Sequence, residues 1–203
     1  MLLPFEPYRT EWKDHFRIIS MELAALLHAV DPVIEHIGST SVEGLSAKPV
    51  IDVLVGLHNE EDLDKIPALL AGNHYTYYEK YNDDMPYRRF FIQFHERPQH
   101  YGFPELVTNE TPIPAHMHDH AFRVAHIHAI ALASEHWERH IAFRDYLRTH
   151  TAVRDAYAQL KKDLVQREWE DGNDYNEAKD TFIKYEERRA VAWYHSLKNN
   201  LTK

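Results

Sequence analysis

The residues with the clearest chemical potential lie in two strand-like segments that are far apart in the sequence. Asp52 interrupts the apolar run VIDVLV, where a carboxylate is costly to bury unless hydrogen bonds or a divalent cation neutralise it. His126 and His128 alternate in RVAHIHAIAL, so a strand would point both imidazoles to one face. We predict that these three side chains form the polar floor of a cleft, either as metal ligands or as a hydrogen-bonded acid-base cluster.

A hydroxyl-rich turn before Asp52 is a second candidate site. Gly38 follows a β-branched segment and allows a tight turn or a close approach of the backbone. Thr40 and Glu43 have the spacing of a capping box, which predicts a helix that begins in this turn with exposed backbone N–H groups. Such groups attract anions, so the turn is a candidate phosphate site, although an ordinary Gly-Ser turn is the alternative. Its residues are Gly38, Ser39, Thr40 and Ser41.

The chain also offers cationic side chains that could neutralise phosphate groups. Lys48 follows the turn, and two arginines begin an aromatic-rich strand, where either could instead form a cross-strand ion pair. On two helical segments a tyrosine precedes a lysine by four residues, which places a phenol beside an ammonium or lets the lysine reach solvent past a packed ring. The candidates for contacting a ligand are Lys48, Arg88, Arg89, Arg144, Tyr157, Lys161 and Lys179.

These segments together resemble the GrpB-like family, whose characteristic run is EHIGSTSV-x-GL-x-AKP-x-ID. That run matches residues 35–52. The resemblance continues through HIH at 126–128, FRDYLR at 143–148, and Tyr157 and Lys161, so it covers almost the whole chain. It implies the fold of the nucleotidyltransferases, whose later helices supply groups to the phosphates of a nucleotide. The cofactor that this fold implies is a divalent metal, Mg or Mn, with Zn as the alternative.

One residue departs from the nucleotidyltransferase pattern that the resemblance implies. In that pattern the turn is followed by a strand with two acids one residue apart, which clamp two cations. Leu54 stands at the second position. Two functions therefore stay open: metal-dependent transfer of a nucleotidyl or phosphoryl group to an unknown acceptor, or a non-catalytic nucleotide-binding, phosphate-binding or regulatory module derived from that fold. If residue 54 faces the cleft, Leu54→Asp is expected to tighten the binding of divalent ions.

Periodicity along the rest of the chain predicts the helices and strands of an α/β fold, and the resemblance implies that the strands form one mixed sheet. Apolar residues at helical spacing predict helices, and aromatic or β-branched runs predict strands. The predicted helices cover residues 11–30, 60–71, 134–149, 151–169 and 173–197, and two of the predicted strands cover residues 74–80 and 87–94. Together with the resemblance, these elements imply a nucleotidyltransferase-like α/β domain in residues 1–133 and a C-terminal helical annex in residues 134–203, with the ligand between them.

A histidine-rich loop is a further candidate for metal binding. Residues 95–121 are rich in proline and turn formers and are predicted to be a surface excursion. Within them His116, His118 and His120 alternate around Asp119, and an extended backbone would place the imidazoles where they could bind zinc or nickel. Fortuitous metal binding by such a loop is the alternative interpretation.

The composition excludes several other classes of protein. A chain of 203 residues with 44% hydrophobic content can bury one sizeable core, and the lack of cysteine excludes disulfides, zinc-thiolate sites and thiol catalysis. The formal charge of -9 argues against a surface for duplex nucleic acid, but a local positive patch could still bind a small anionic ligand. No run approaches about 18 consecutive apolar residues, so we expect a cytoplasmic protein with no membrane partner.

Overall fold

A five-stranded mixed sheet is the centre of the protein. The computed structural model describes residues 5–132, 134–167 and 172–201, without the side chains of 172–176 and 201. The strands lie in the order β1-β2-β5-β4-β3, in which β2 and β5 are parallel and the other neighbours are antiparallel. Their bounds are β1 Val33–Ile37, β2 Ile51–Leu57, β3 Tyr75–Tyr77, β4 Arg88–Phe94 and β5 Arg123–Ala131.

Helices cover both faces of the sheet. Within the described residues, the α-helices are α1 Glu11–Leu26, α2 Ile66–Leu70, α3 Glu135–Thr149, α4 Thr151–Val165 and α5 Gly172–Leu201. The first two pack on one face in the largest apolar cluster, whereas α3 lies on the other face and packs against α4 and α5. The predicted α/β class with a mixed sheet, flanking helices and C-terminal helices is therefore confirmed. The predicted division into two domains at residue 133 stays a prediction.

Strand alternation separates the polar residues from the main core. Val53 and Ile127 point to the face under α1 and are fully buried. Asp52 is paired in register with His126, and the next row on the same face pairs Leu54 with His128. The period of two in the sequence thus places the carboxylate and both imidazoles on one face, away from the main core.

Several element boundaries differ from the sequence-based predictions. The helix expected over residues 60–71 is a 3-10 segment, Glu60–Lys65, followed by α2, because Pro67 lies in the first turn of that helix. The strand expected over residues 74–80 ends at Tyr77. The helix predicted to end at 169 ends at Val165, and residues 168–171 lie outside the described residues.

The loop between β4 and β5 lies at the surface, as predicted, and is also packed on the sheet through a few buried side chains. Phe103, Val107 and Met117 of this loop are almost fully buried against Ile92 and Phe94 of β4. These strand residues lie on the face that carries Asp52 and the histidines, since Ile92 is in register with His126. The loop therefore covers one part of that face, the C-terminal helices cover another part, and a cavity lies between them.

The backbone around the three loop histidines is folded into short 3-10 segments, Ala115–His118 and His120–Phe122. The extended backbone on which the predicted metal cluster depended is not formed. His116 instead approaches the carbonyl of Tyr101, whereas His120 approaches Lys48. Within the described residues, none of the helices combines the length and the apolar character that crossing a membrane requires.

Candidate functional site

A cavity of about 750 Å³ opens on the sheet face that carries Asp52, His126 and His128. Its floor is formed by β2, β4 and β5, and its walls by residues 39–50, by the loop before β5 and by lysines from α4 and α5. Among the described residues, the charged lining consists of one carboxylate and six cations: Asp52, Lys48, Lys80, Arg88, Arg123, Lys161 and Lys179. The lining is therefore positively charged, whereas the whole chain has a formal charge of -9.

Asp52 is held between an imidazole and a glycine backbone. Its Oδ1 lies 3.2 Å from His126 Nδ1, and both side chains are partly exposed to the cavity. On the other side, Gly38 has φ of 68° and ψ of -173°, a conformation that residues with a side chain rarely adopt. A Cβ at Gly38 would lie 2.2 Å from Asp52 Oδ2. Glycine is therefore required here for the close approach of the turn to the carboxylate.

The turn after Gly38 is a single 3-10 turn, Ser39–Ser41, and the predicted capping-box helix was wrong. The Thr40 hydroxyl pairs with His36 Nε2 at 2.9 Å, and the Glu43 carboxylate pairs with Lys13 at the surface. Neither side chain caps a helix, because each has another partner. So short a turn has no helix N-terminus for anion binding, which leaves the Ser39 and Thr40 side chains as its contribution to the cavity.

Lys161 reaches the cavity from α4. Its Nζ donates to Ser39 Oγ at 3.0 Å and to the Ser46 carbonyl, and it lies 4.7 Å from the centre of the Tyr157 ring. The residue is 2% exposed. The pKa of Lys161 is lowered to about 7, chiefly by burial and then by the charge of nearby Lys179, while the charge of Asp52 acts in the opposite direction. Lys161 therefore changes charge near neutral pH.

Two more lysines share this behaviour. Burial lowers the pKa of Lys48 to about 8, and Arg123 acts in the same direction. Burial also lowers the pKa of Lys179 to about 8, with Lys48 as the next cause. Asp52 opposes the shift in both lysines. A buried ammonium is destabilised by desolvation and by its cationic neighbours, so an anion that entered the cavity would stabilise all three charged lysines.

Arg88 and His128 form a second pair on the floor. The Arg88 NH1 group donates to His128 Nδ1 at 3.3 Å, and the guanidinium lies 5.1 Å from the centre of the Phe90 ring. Burial holds the pKa of His128 well below its usual range, and the charge of Arg88 lowers it further. His128 is thus a neutral imidazole that accepts a hydrogen bond from Arg88 and orients its guanidinium.

The donors around Asp52 do not fit a two-cation site. Leu54 is fully buried against Ile37, Ile130 and Ile141, so α3 covers the position of the second acid. In the part of the chain that the structure describes, no group of three or more His, Asp and Glu side chains is placed to hold a metal ion. Metal ligation by Asp52 together with the two histidines stays a prediction, and His128 Nδ1 already has Arg88 as its partner.

The structure brings some of the predicted site residues together and leaves others elsewhere. Lining the cavity are Ser39, Thr40, Lys48, Asp52, Arg88, His126, His128, Lys161 and Lys179. Arg89 points to the opposite face of β4 and pairs with Asp64 at 2.6 Å, because neighbouring residues of a strand alternate. Tyr157 is buried among aromatic rings beneath Lys161.

Other residues that were predicted to contact the ligand stabilise the turn after Gly38. The Arg144 guanidinium donates to Glu35 and to the His36 carbonyl, and Arg148 on the next turn of α3 donates to the Ser41 carbonyl at 2.9 Å. The Ser41 hydroxyl donates back to the Gly38 carbonyl at 2.7 Å. Gly38, Ser41 and Arg144 therefore position the turn against Asp52 and are not among the residues that line the cavity. Their role as ligand contacts stays a prediction.

Sequence reasoning missed several residues of the lining, among them Tyr78 and Arg123. Five buried polar atoms at the cavity have no hydrogen-bond partner among the described residues: Tyr78 OH, Arg88 Nε, His120 Nδ1, Arg123 Nε and His126 Nε2. Buried polar groups without a partner are uncommon in folded proteins, and a ligand or water often satisfies them. Of the missed residues, Arg123 could have been found because it begins the strand that carries both histidines.

The chain matches the sequence profile of one family, described as GrpB protein, over residues 4–189. The chain belongs to the GrpB family, and the resemblance stated from its motifs is confirmed. It is 28% identical over 192 residues to UPF0157 protein YqkA of Bacillus subtilis, covering 95% of this chain and 48% of that protein. The chain therefore spans about half the length of that relative.

Two further comparisons agree with this assignment. Glutamate-rich protein GrpB of Alkalihalophilus pseudofirmus is 28% identical over 172 residues, covering 85% of this chain and 86% of that protein. The crystal structure of conserved protein GrpB from Enterococcus faecalis superposes with a TM-score of 0.73 at 29% identity, covering 94% of this chain and 98% of the other. A structure of the Cid1 poly(U) polymerase gives a TM-score of only 0.42 at 9% identity over 77% of this chain and 45% of that one.

Proposed function

We propose that this member of the GrpB family binds a small phosphate-bearing anion of the nucleotide class in the cavity over β2, β4 and β5. The observation that carries the proposal is the charge of the lining, with six cations and one carboxylate among the described residues of a chain whose formal charge is -9. Cations gathered in a cleft focus their field and attract anions. The volume of about 750 Å³ also suits a small molecule, since such sites commonly measure roughly 300–1,000 Å³.

An aromatic wall supports a nucleotide over a simple phosphate. Tyr78 and Tyr81 are stacked with ring centres 5.6 Å apart, and each lies 5.8 Å from Phe90. All three rings line the cavity beside Arg88 and Lys80. Aromatic faces accept planar bases by stacking, whatever the identity of the base. The proposed ligand places its base against this wall and its phosphates among the lysines and arginines.

A second candidate function is acid-base chemistry on the bound ligand. His126 lines the cavity with its Nδ1 next to Asp52 Oδ1, and its Nε2 is buried without a partner among the described residues. An aspartate that accepts a hydrogen bond from Nδ1 orients the imidazole so that Nε2 can accept a proton. This pair favours proton transfer at the ligand, for example from a water that attacks a phosphate. Phosphate release from nucleotides, measured for wild type and His126→Gln, tests it: release that is equal in both variants contradicts the role.

Removal of the Lys161 charge is expected to weaken ligand binding. In Lys161→Met, the ammonium is lost and the apolar stem keeps its place, so nucleotide affinity should fall roughly tenfold to a hundredfold, or about 1.5–3 kcal/mol. The variant should fold with an unchanged or higher melting temperature near pH 7, because a desolvated ammonium is removed. Calorimetric titration with nucleotides, pyrophosphate and inorganic phosphate measures the affinities.

The matched control for this experiment is Lys162→Met on the same helix. Lys162 is exposed, and it does not line the cavity. This substitution changes the net charge of the protein equally but should leave the affinities unchanged. Equal binding by wild type, Lys161→Met and Lys162→Met would show that the ligand lies elsewhere. If none of the phosphate compounds bound to the wild type, the proposed function would be overturned.

Ligand affinity is expected to decrease as the pH rises from about 7 to about 9. Over this interval Lys161, with a pKa of about 7, and Lys48 and Lys179, with pKa values of about 8, lose their protons in the unliganded protein. A bound anion favours the charged form of each lysine and raises its pKa, so binding takes up protons. Calorimetry in two buffers of different ionisation enthalpy measures this uptake. Affinity that is constant across the interval, or proton release, contradicts the expectation.

A further inference from the structure

We infer that the cavity binds the phosphates of its ligand without a divalent cation, and that Arg88 and Arg123 supply the positive charge that metal ions supply in two-acid sites. The inference rests on the proposed function, because it concerns how the same cavity neutralises the same class of ligand. Its first support is the donor set of the described residues. Asp52 is the one carboxylate of the lining, a buried leucine stands in place of the second acid, and no three His, Asp or Glu side chains are placed together to hold a metal ion.

The second support is the position of the Arg88 guanidinium. On this face of the sheet, the row next to Asp52 and His126 consists of Leu54, His128 and Phe90. The guanidinium of Arg88 is bonded to His128 and lies over Phe90, so it covers this row. A strand with two acids would place its second carboxylate in the same row. A fixed positive charge therefore lies over the row in which a second cation would be bound.

The third support is the surroundings of Asp52. Its charge raises the pKa of Lys48, Lys161 and Lys179 against the effect of burial, so three ammonium groups already act as its counter-charges. A metal ion at Asp52 would have to enter among these lysines and would be repelled by each of them. An anion is attracted by the same arrangement.

The fourth support is the unused hydrogen-bonding capacity of the two arginines. Arg88 Nε and Arg123 Nε are buried at the cavity and have no partner among the described residues. One terminal nitrogen of each guanidinium is held in place, since Arg88 NH1 donates to His128 and Arg123 NH2 donates to the Met117 carbonyl at 3.0 Å. A guanidinium fixed in this way matches a phosphate with two oxygens, and it needs no proton exchange because it stays charged.

The test is titration of the protein with inorganic pyrophosphate and with ATP, first in EDTA and then with an excess of Mg²⁺ or Mn²⁺. We expect both probes to bind in EDTA and to bind more weakly with Mg²⁺, because the metal ion neutralises part of the negative charge of the free ligand. Arg88→Met is expected to reduce the affinity in EDTA roughly tenfold to a hundredfold, and Arg88→Lys to restore part of it. The neighbouring substitution Arg89→Met, on the opposite face of β4, should change neither affinity.

The outcomes separate the inference from the proposed function. Binding that requires Mg²⁺ or Mn²⁺ and disappears in EDTA overturns the inference while the cavity keeps its proposed ligand. Equal losses in Arg88→Met and Arg89→Met also overturn it, since the effect would then follow net charge and not position. If neither probe binds under any condition, the proposed function and the inference both fail. Should Arg88→Met not fold, the comparison of EDTA with metal in the wild type still decides the question.

Discussion

Leu54→Asp is expected to destabilise the protein by about 4 kcal/mol or more, and not to create a metal site. Leu54 lies on the same face as Asp52, but its side chain is fully buried with Ile37 and Ile130 under Ile141 of α3. The substitution removes a packed apolar side chain and buries a carboxylate in the void that the leucine leaves. A loss of this size is a large part of the roughly 5–15 kcal/mol that stabilises a typical domain. Chemical denaturation with and without Mn²⁺ measures it.

Leu54→Asn is the control, because asparagine has the shape of aspartate without its charge. It should cost less than Leu54→Asp, and the difference gives the contribution of burying the charge. Mn²⁺ should change the melting temperature of neither variant. A recovery of Leu54→Asp by Mn²⁺ that Leu54→Asn does not share would contradict this expectation, since it would show that positions 52 and 54 together hold a cation.

Gly38→Ala is expected to destabilise the protein by about 3 kcal/mol or more and to abolish ligand binding. Two effects add: the backbone conformation at Gly38 is essentially restricted to glycine, and the new methyl would lie 2.2 Å from Asp52 Oδ2. To relieve the contact, either the turn or the carboxylate must move. Both movements disturb the cavity, because Ser39 and Thr40 follow Gly38 directly. The free energy of unfolding and the nucleotide affinity are the two measurements.

Gly102→Ala and a double variant separate the two effects. Gly102 also has a positive φ, 72°, but nothing lies within 4 Å of its would-be Cβ, so Gly102→Ala should cost only about 1–2 kcal/mol. Combining Gly38→Ala with Asp52→Ala should recover the part of the loss that the contact causes, in a double-mutant cycle. Equal losses for Gly38→Ala and Gly102→Ala would indicate that Asp52 is not the reason for glycine at residue 38.

The helices and strands could be predicted because they follow strong local patterns, and the central polar residues could be predicted because they interrupt those patterns. Asp52 is a charge in an apolar strand, and His126 and His128 share a period of two in another, so the common face of the two histidines followed from strand geometry. The order of the strands did not follow, since pairing between β2 and β5 is decided by contacts between distant segments. The capping box failed for a different reason: the Thr40 hydroxyl is bonded to His36, four residues earlier, and only a single 3-10 turn follows Gly38.

The rest of the lining depends on arrangements that a linear pattern does not carry. The strand RRFFIQF has no alternation of polar and apolar residues, so the sequence could not indicate that Arg88 faces the cavity and Arg89 faces away. Lys161 and Arg144 looked equivalent as helical cations. Arg144 is paired with Glu35, because α3 packs on β1. Lys161 lies on α4 and reaches Ser39 at the cavity.

The parallel pairing of β2 with β5 has a consequence for how the protein folds. Asp52 and His126, which meet across that pair, are separated by 74 positions in the sequence. The chain must close a loop of this length before the two central strands can align, and the entropy of loop closure is lost before the contacts are gained. Helices such as α1 can form from local contacts on a much shorter timescale. The cavity floor therefore assembles late, and refolding is expected to be slow for a chain of this size, with early helical structure that does not yet bind the ligand.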